Sequence, residues 1–411
     1  MRPSACTAFL AIACAAGLAH ATSMLGMRYP LGIPSQPNSG MSMSMGGAAA
    51  GVANDNNLIL RNPANLGNVK KTVFSSLFML DFTNIQDEEA GSYTNHARFL
   101  PRQITFGFPL GILGSVAASF EKRQEAYARF EFAPVPFDPG YGELDSYQQK
   151  YSREGGETAW QIAWAHAIGR WVRLGLAYER VYARLQESRS VLLTSSYSSA
   201  YADSSIVDFR GNGLRAGVQV PVWHLTLGLA GQYCFAGDAT VSEGGYVRRP
   251  TSSTLQASRF TLRLPPSLTA GIAWQIDPRW LTAFDVDMTM WGAYDSEDKL
   301  LAGDLRAAAT GLDLGVQFVP APDQLTPKYW ETICYRAGAR YTQMPCKTAY
   351  ELAAVLGFGL PLPAGGGLLD IVFEYGRRLD QDYPRYTEEL FRIGFGVSGG
   401  RKWAKSPQST Y

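Results

Sequence analysis

Beyond residue 21 the chain has no run of about 18 apolar residues, which excludes a bilayer-crossing helix. Charge is scarce: Asp, Glu, Lys and Arg make up 18% of the sequence, against about 25% in typical soluble domains. Acids and bases balance at 36 and 37, for a net charge of +1, so there is no basic footprint for nucleic acid. Of four histidines, His96, His166 and His224 lie beyond residue 21, far apart and without metal-ligand spacing. Of five cysteines only Cys234, Cys334 and Cys346 lie there, an odd number that cannot all pair within one chain. On one continuous strand, Cys334 and Cys346 would stand roughly 30 to 40 Å apart, so no disulfide is expected between them. What the chain does have is 12% aromatics and 42 glycines, at a mean hydropathy of −0.11. A membrane barrel explains the combination, because its outer face takes apolar and aromatic side chains while its inner face takes small and polar ones.

The N-terminus reads as an export signal. Arg2 precedes an apolar stretch from Ala5 to Leu18, and Ala19-His20-Ala21 forms a small-residue cleavage pattern, placing the mature start at Thr22. The alternative is lipidation at Cys14 after Ala11-Ile12-Ala13, but the apolar stretch before it, Thr7 to Ala13, is short.

Strict alternation dominates the rest. Trp160, Ile162, Trp164, His166 and Ile168 share one face against Gln161, Ala163, Ala165 and Ala167. Leu225, Leu227 and Leu229 oppose Thr226, Gly228 and Ala230, and Phe391, Ile393, Phe395 and Val397 oppose Arg392, Gly394, Gly396 and Ser398. About fourteen such segments fall at 70–83, 98–109, 113–130, 154–168, 170–186, 205–221, 223–238, 257–276, 280–292, 303–318, 329–343, 348–361, 368–380 and 387–398. Tight turns at Gly111, Gly169, Val222, Asp277-Pro278 and Ala364–Gly366 alternate with longer loops such as Glu131–Arg153 and Ser188–Ser204; Pro320–Lys328 is an exception to the pattern. The expectation is an all-β fold, a transmembrane antiparallel β-barrel of about 14 strands spanning 70–398, in the outer membrane, with both chain ends on the short-turn, periplasmic side. A soluble β-sandwich also alternates, but its strands are usually shorter. The tail is 399–411.

Residues 22–69 do not alternate. They contain Met41-Ser42-Met43-Ser44-Met45-Gly46-Gly47-Ala48-Ala49-Ala50, a centre of Asn54-Asp55-Asn56-Asn57, and then Arg61-Asn62-Pro63-Ala64-Asn65-Leu66-Gly67. The small residues suit a plug (hatch) lying inside the lumen. The run from Met45 to Gly67 resembles the N-terminal hatch of the FadL family of outer-membrane long-chain fatty-acid transporters. Leu264-Pro265-Pro266-Ser267-Leu268, Gly271-Ile272-Ala273-Trp274, Trp280, Asp285-Val286-Asp287 and Trp291 resemble that family's central hairpin. The resemblance implies a fourteen-stranded barrel with a plug, and passive, hatch-gated uptake of long-chain fatty acids or similar hydrophobic or amphipathic molecules. Asn62, Pro63, Ala64 and Asn65 are the expected gating segment. The last strand departs from the pattern by running into a tail, and the Asn-Pro-Ala start also occurs in barrels of secretion and attachment machinery.

A channel for amphipathic acids needs an apolar groove and a cation for the carboxylate. Arg173, Arg215, Arg336, Arg340, Arg378 and Arg392 fall on the inward faces. Arg215, Arg336, Arg340 and Arg378, with the adaptable Met43 and Met45, are the candidate ligand contacts. The plainer reading pairs the arginines with Glu179, Asp285, Asp287 and Glu374. Asp285 and Asp287 point the same way, as lumen residues rather than catalytic carboxylates. Gly396-Val397-Ser398-Gly399-Gly400 has the letters of a nucleophile elbow but no helix follows it. No catalysis, metal or cofactor is expected. Trp160, Trp164, Trp171, Trp223, Trp274 and Trp280 read as interfacial girdles contacting outer-membrane lipids. The competing functions are a surface adhesin, scaffold or secretion-associated anchor acting on external partners through loops such as Glu131–Arg153, and a general porin.

Overall fold

A computed structural model describes residues 31–34, 39–87, 92–131, 135–137, 145–193, 201–247, 256–296, 305–322, 324, 326–362, 367–381 and 386–401. The expected cleavage site, most of the loop after Glu131 and the end of the tail lie outside the described residues.

The wall is β1 (Thr72–Asp87), β2 (Ser92–Pro109), β3 (Ser115–Glu131), β4 (Asp145–Ile168), β5 (Val172–Leu193), β6 (Tyr201–Val222), β7 (Leu225–Cys234, continued by Gly237–Val247), β8 (Gln256–Arg263, continued by Ser267–Gln275), β9 (Trp280–Thr289), β10 (Ala309–Phe318), β11 (Cys334–Gln343), β12 (Ala349–Pro361), β13 (Gly367–Asp380) and β14 (Tyr386–Arg401). Each pairs antiparallel with its neighbours, and β14 closes on β1 from Tyr386↔Asp87 to Arg401↔Thr72. A closed antiparallel barrel of 14 strands therefore stands where the alternation placed it. Closure matters because lipid offers no partner to an unpaired strand edge.

The differences have a common cause. β4 begins at Asp145 rather than 154, and β5 and β6 reach Leu193 and Tyr201, so much of the expected loops is strand. At about 3.3 Å per residue these strands span on the order of 70 to 80 Å, while a bilayer needs only 9 to 11 residues. Their upper halves stand beyond the lipid, so the outward row turns from Trp160 and Ile162 to Glu154, and from Leu174 and Leu176 to Arg184. Without an apolar row the period-two signal fades although the backbone remains extended. Conversely, the segment before β11 is a short 3₁₀ turn, Tyr329–Glu331, not strand. Ser398 sits inside β14 opposite Ser75, in extended strand. Cys234, Cys334 and Cys346 are free.

Two bulges break the inside-outside parity. Opposite Leu77 and Phe78, β2 places Gln103 and Pro101, leaving Arg102 as an extra residue. In β3, Lys122 and Gln124 face Thr158 and Glu157, leaving Arg123 extra. Backbone pairing of β2 with β3 covers only Gln103–Pro109. Above it, Ile33 and Pro34 lie antiparallel along β3, and Arg98 and Arg102 reach Glu125 at 3.2 and 2.6 Å.

Residues 39–69 fill the barrel near its short-turn end. Ser39 caps the helix α1 (Gly40–Ser44), its side chain accepting from the Ser42 amide, and Asn62 caps a 3₁₀ turn at Pro63–Asn68 by accepting from the Ala64 amide. At several positions the surrounding wall presents glycine to the plug. Gly175 and Gly217 face each other across β5 and β6, as do Gly228 and Gly271 across β7 and β8, and Gly315 and Gly338 across β10 and β11. A β-carbon on Gly228 would stand 2.0 Å from the Ala50 carbonyl oxygen, one on Gly217 2.1 Å from Asn62 Oδ1, and one on Gly338 2.3 Å from the Gly46 amide. The plug backbone thus lies directly on wall backbone. Larger plug side chains fill what remains: Leu58, Leu60 and Leu66 pack on Ala117, Ala163, Ala165 and Ala177, and Met43 on Leu77, Met79, Val355 and Val372. Each such burial contributes about 1.5 to 3 kcal/mol.

Gly228→Val is expected to leave the barrel intact, with its heat-modifiable migration on gels unchanged, while displacing the plug so that residues 40–69 become cleavable by added protease; a protected plug would show that the backbone contact is dispensable.

Candidate functional site

The plug is held by side chains that reach it from the wall. Asp285 of β9 is fully buried and accepts from two successive amides, Ala49 at 2.7 Å and Ala50 at 2.8 Å. Asp287, two residues on and so on the same face, pairs with Arg61 and accepts from Thr269. Arg61 also donates to Asp313 of β10 at 2.8 Å and to the Gly47 carbonyl at 2.9 Å. Burial by itself would lower the pKa of Arg61, but Asp287, Asp313 and Asp285 outweigh it and raise the guanidinium above its ordinary value. The Asp285 and Asp287 carboxylates are thus anchors for the plug.

The expected gating residues form the opposite anchor. Asn62 donates to the Ala50 carbonyl at 2.9 Å and to Val218 of β6 at 3.1 Å, and Asn65 donates to the Val52 carbonyl. Gln219 of β6 donates to the same two plug carbonyls, Ala50 and Val52, at 3.0 and 3.2 Å. Pro63 and Ala64 lie against Gly175.

Four of the candidate ligand contacts are arginines, and each already holds a wall carboxylate. Arg215 pairs with Glu179 at 3.0 Å and donates to the Leu60 carbonyl at 3.1 Å. Arg336 pairs with Asp370 at 2.5 Å and donates to Ser44 Oγ at 3.3 Å. Arg340 holds Glu374 at 2.8 Å and Glu351 at 3.1 Å; Arg378 holds Glu351 at 2.6 Å. Arg392 joins the same cluster through Glu351 and Glu374. Met43 and Met45 are buried between plug and wall, Met45 against Gly315.

Above the plug lies a cavity of about 190 Å³. Arg215 is the one among these six candidates that lines it, together with Arg61, Arg102, Lys122, Arg123, Glu121 and Glu157. Its lining is mixed rather than apolar. Arg123 reaches Glu179 at 2.6 Å, Glu121 at 3.5 Å and Glu157 at 3.7 Å. Cys234 and Leu264 line the cavity and also belong to an apolar cluster with Phe209, Leu262, Val181 and Leu31, so charged and greasy surfaces adjoin there. Alternation could not have found Arg102 and Arg123, because a bulge inverts the parity on which the method depends. The paired inward glycines were missed in the sequence, although they left a signal there, one on each of several strands a few residues from a short turn.

Among solved structures, a Pseudomonas aeruginosa FadL homologue matches 90% of this chain and 99% of its own at 13% identity, with a TM-score of 0.62. The Ralstonia pickettii toluene transporter TbuX matches 92% and 100% at 15% identity, TM-score 0.58. The P. putida toluene transporter TodX matches 88% and 98% at 14% identity, TM-score 0.56. The chain has the FadL-type fold. A family model described as BamG matches residues 238–407, from β7 onward. No curated protein matches the sequence.

Arg61→Ala strips the buried Asp313 and the partly buried Asp287 of their shared counter-charge, and breaking a buried pair costs about 3 to 5 kcal/mol. Faster deuterium exchange at the Ala49 and Ala50 amides is expected, partly restored by adding Asp287→Asn; unchanged exchange would refute the anchor.

Proposed function

We propose that this chain is an outer-membrane channel, exported through its cleaved leader, that admits long-chain fatty acids or other hydrophobic compounds passively, with the plug as its gate. The observation that carries the reading is the pairing of a plug seated on bare wall backbone with a cavity above it where apolar and cationic surfaces meet. The named transporters of the same fold, which include two for toluene, support a hydrophobic cargo. The outward apolar and aromatic rows, with Trp160, Trp164, Trp171, Trp223, Trp274 and Trp280 all exposed, fit a barrel standing in lipid.

In this reading the ligand lays its apolar part along Leu264, Trp291 and Ala230 and its polar end toward Arg215 and Arg123. Movement of Asn62–Asn65 away from Gly175 and Gly217 opens the path. The same movement uncovers Met43 and Met45, whose unbranched thioethers suit variable greasy ligands. Arg336, Arg340 and Arg378 contact a ligand carboxylate once it displaces Asp370, Glu351 or Glu374. No bond is made or broken, so the protein needs only to lower the barrier to passage.

Gly67 and Arg173 offer the test, because a β-carbon on Gly67 would lie 3.2 Å from that of Arg173, near the 3.5 to 4.5 Å span of a disulfide. In a background lacking Cys234, Cys334 and Cys346, Gly67→Cys/Arg173→Cys is expected to block uptake of labelled oleate and of toluene when oxidised and restore it on reduction. Equal uptake in both redox states would remove the plug from the transport path.

A further inference from the structure

A second cavity, of about 470 Å³, lies on the other face of the plug at the short-turn mouth. Asn54, Asp55, Asn56 and Lys70 line it from the plug side, Gly169 and Arg173 from the wall. Arg173 is the second residue of β5, and its stem crosses the plug at Gly67, where an added β-carbon would meet Cβ, Cγ and Cδ of Arg173 at 3.2, 3.3 and 3.4 Å. Glycine at position 67 is what lets the side chain lie there.

Every other inward arginine named in the sequence holds a carboxylate. Among the described residues neither Arg173 nor Lys70 does, and Arg173 Nη1 is shut from solvent without a hydrogen-bond partner. The asparagine carbonyls nearby are already used: Asn54 Oδ1 accepts from the Asn56 and Asn57 amides, and Asn56 Oδ1 from Lys71. Asp55 is the one carboxylate in the lining, so two cations outnumber it. A partly enclosed guanidinium short of an acceptor, beside an ammonium, is a receptor for an oxyanion, which a guanidinium can grip with two parallel hydrogen bonds.

We propose that this cavity is a carboxylate site that takes the head group of an amphipathic acid after it has passed the plug. The proposal rests on the channel reading and adds a discrimination to it: an acid gains a second foothold on the far side of the plug, and a neutral compound does not.

The folded full-length mature protein in a non-ionic detergent would be titrated with carbon-13 carboxyl-labelled dodecanoate, each bound site being followed by its own resonance, and in parallel with dodecanol. Arg173→Gln and Lys70→Gln are each expected to weaken one dodecanoate site at least about tenfold, as loss of a charged hydrogen bond should. Dodecanol binding should be unchanged, and Arg173→Lys should recover part of the loss. Unchanged dodecanoate binding, or equal losses for both probes, would overturn the site, the second by showing that Arg173 only packs against Gly67. If the unaltered protein binds dodecanol but not dodecanoate, the site falls and the channel reading stands; if it binds neither, both fall.

Discussion

Backbone resting on backbone is the contact from which the rest of this architecture follows. A strand with side chains on its inner face would hold the plug several ångströms away, and the gap would have to be filled by water or by bulk. Wall glycines at 175, 217, 228, 271, 315 and 338 remove that layer. The plug's carbonyls and amides then come within reach of wall side chains one step away, Gln219 and Asp285, and those hydrogen bonds replace the ones the plug loses by leaving water. Glycine in a strand interior costs about 0.5 to 1 kcal/mol relative to alanine, and the hydrogen bonding and apolar burial of the plug offset it.

The same arrangement explains why the anchors are charged. Arg61 joins Asp287 and Asp313 from two wall strands to the Gly47 carbonyl of the plug, with Asp285 gripping the plug's amides alongside. Such a group is expensive to disrupt partly and cheap to leave intact. The asparagine anchor around Asn62 differs in kind, being held by neutral hydrogen bonds, each worth less than a buried ion pair. Above, the arginine and carboxylate cluster of Arg340, Arg378, Arg392, Glu351 and Glu374 ties strands β11 to β14 together beside the plug.

Much of this was legible in the residues. The alternation of Trp160 to Ile168 and of Phe391 to Ser398 decided the sheet, its strand number and the outward face, because a side chain's choice between lipid and lumen is made residue by residue with a period of two. The non-alternating Met41–Gly67 stretch stood apart from the strands, and the expected fourteen-stranded barrel matched the fold later found. Strand ends beyond the membrane were not legible, since water asks nothing of the outward face at Glu154 or Arg184.

What only the tertiary structure decided is the pairing of distant groups. That Arg215, Arg336, Arg340 and Arg378 face inward follows from sequence parity; that each is occupied by a carboxylate depends on register between strands far apart in the chain. Arg102 and Arg123 enter the lumen because of bulges, which insert a residue without leaving a periodic trace. Arg61 meets Asp287 and Asp313 across more than two hundred residues of chain, whereas among the described residues Arg173 meets no such carboxylate. One-dimensional patterning records which solvent each side chain prefers, whereas which groups meet is settled by barrel closure and by where the plug comes to rest.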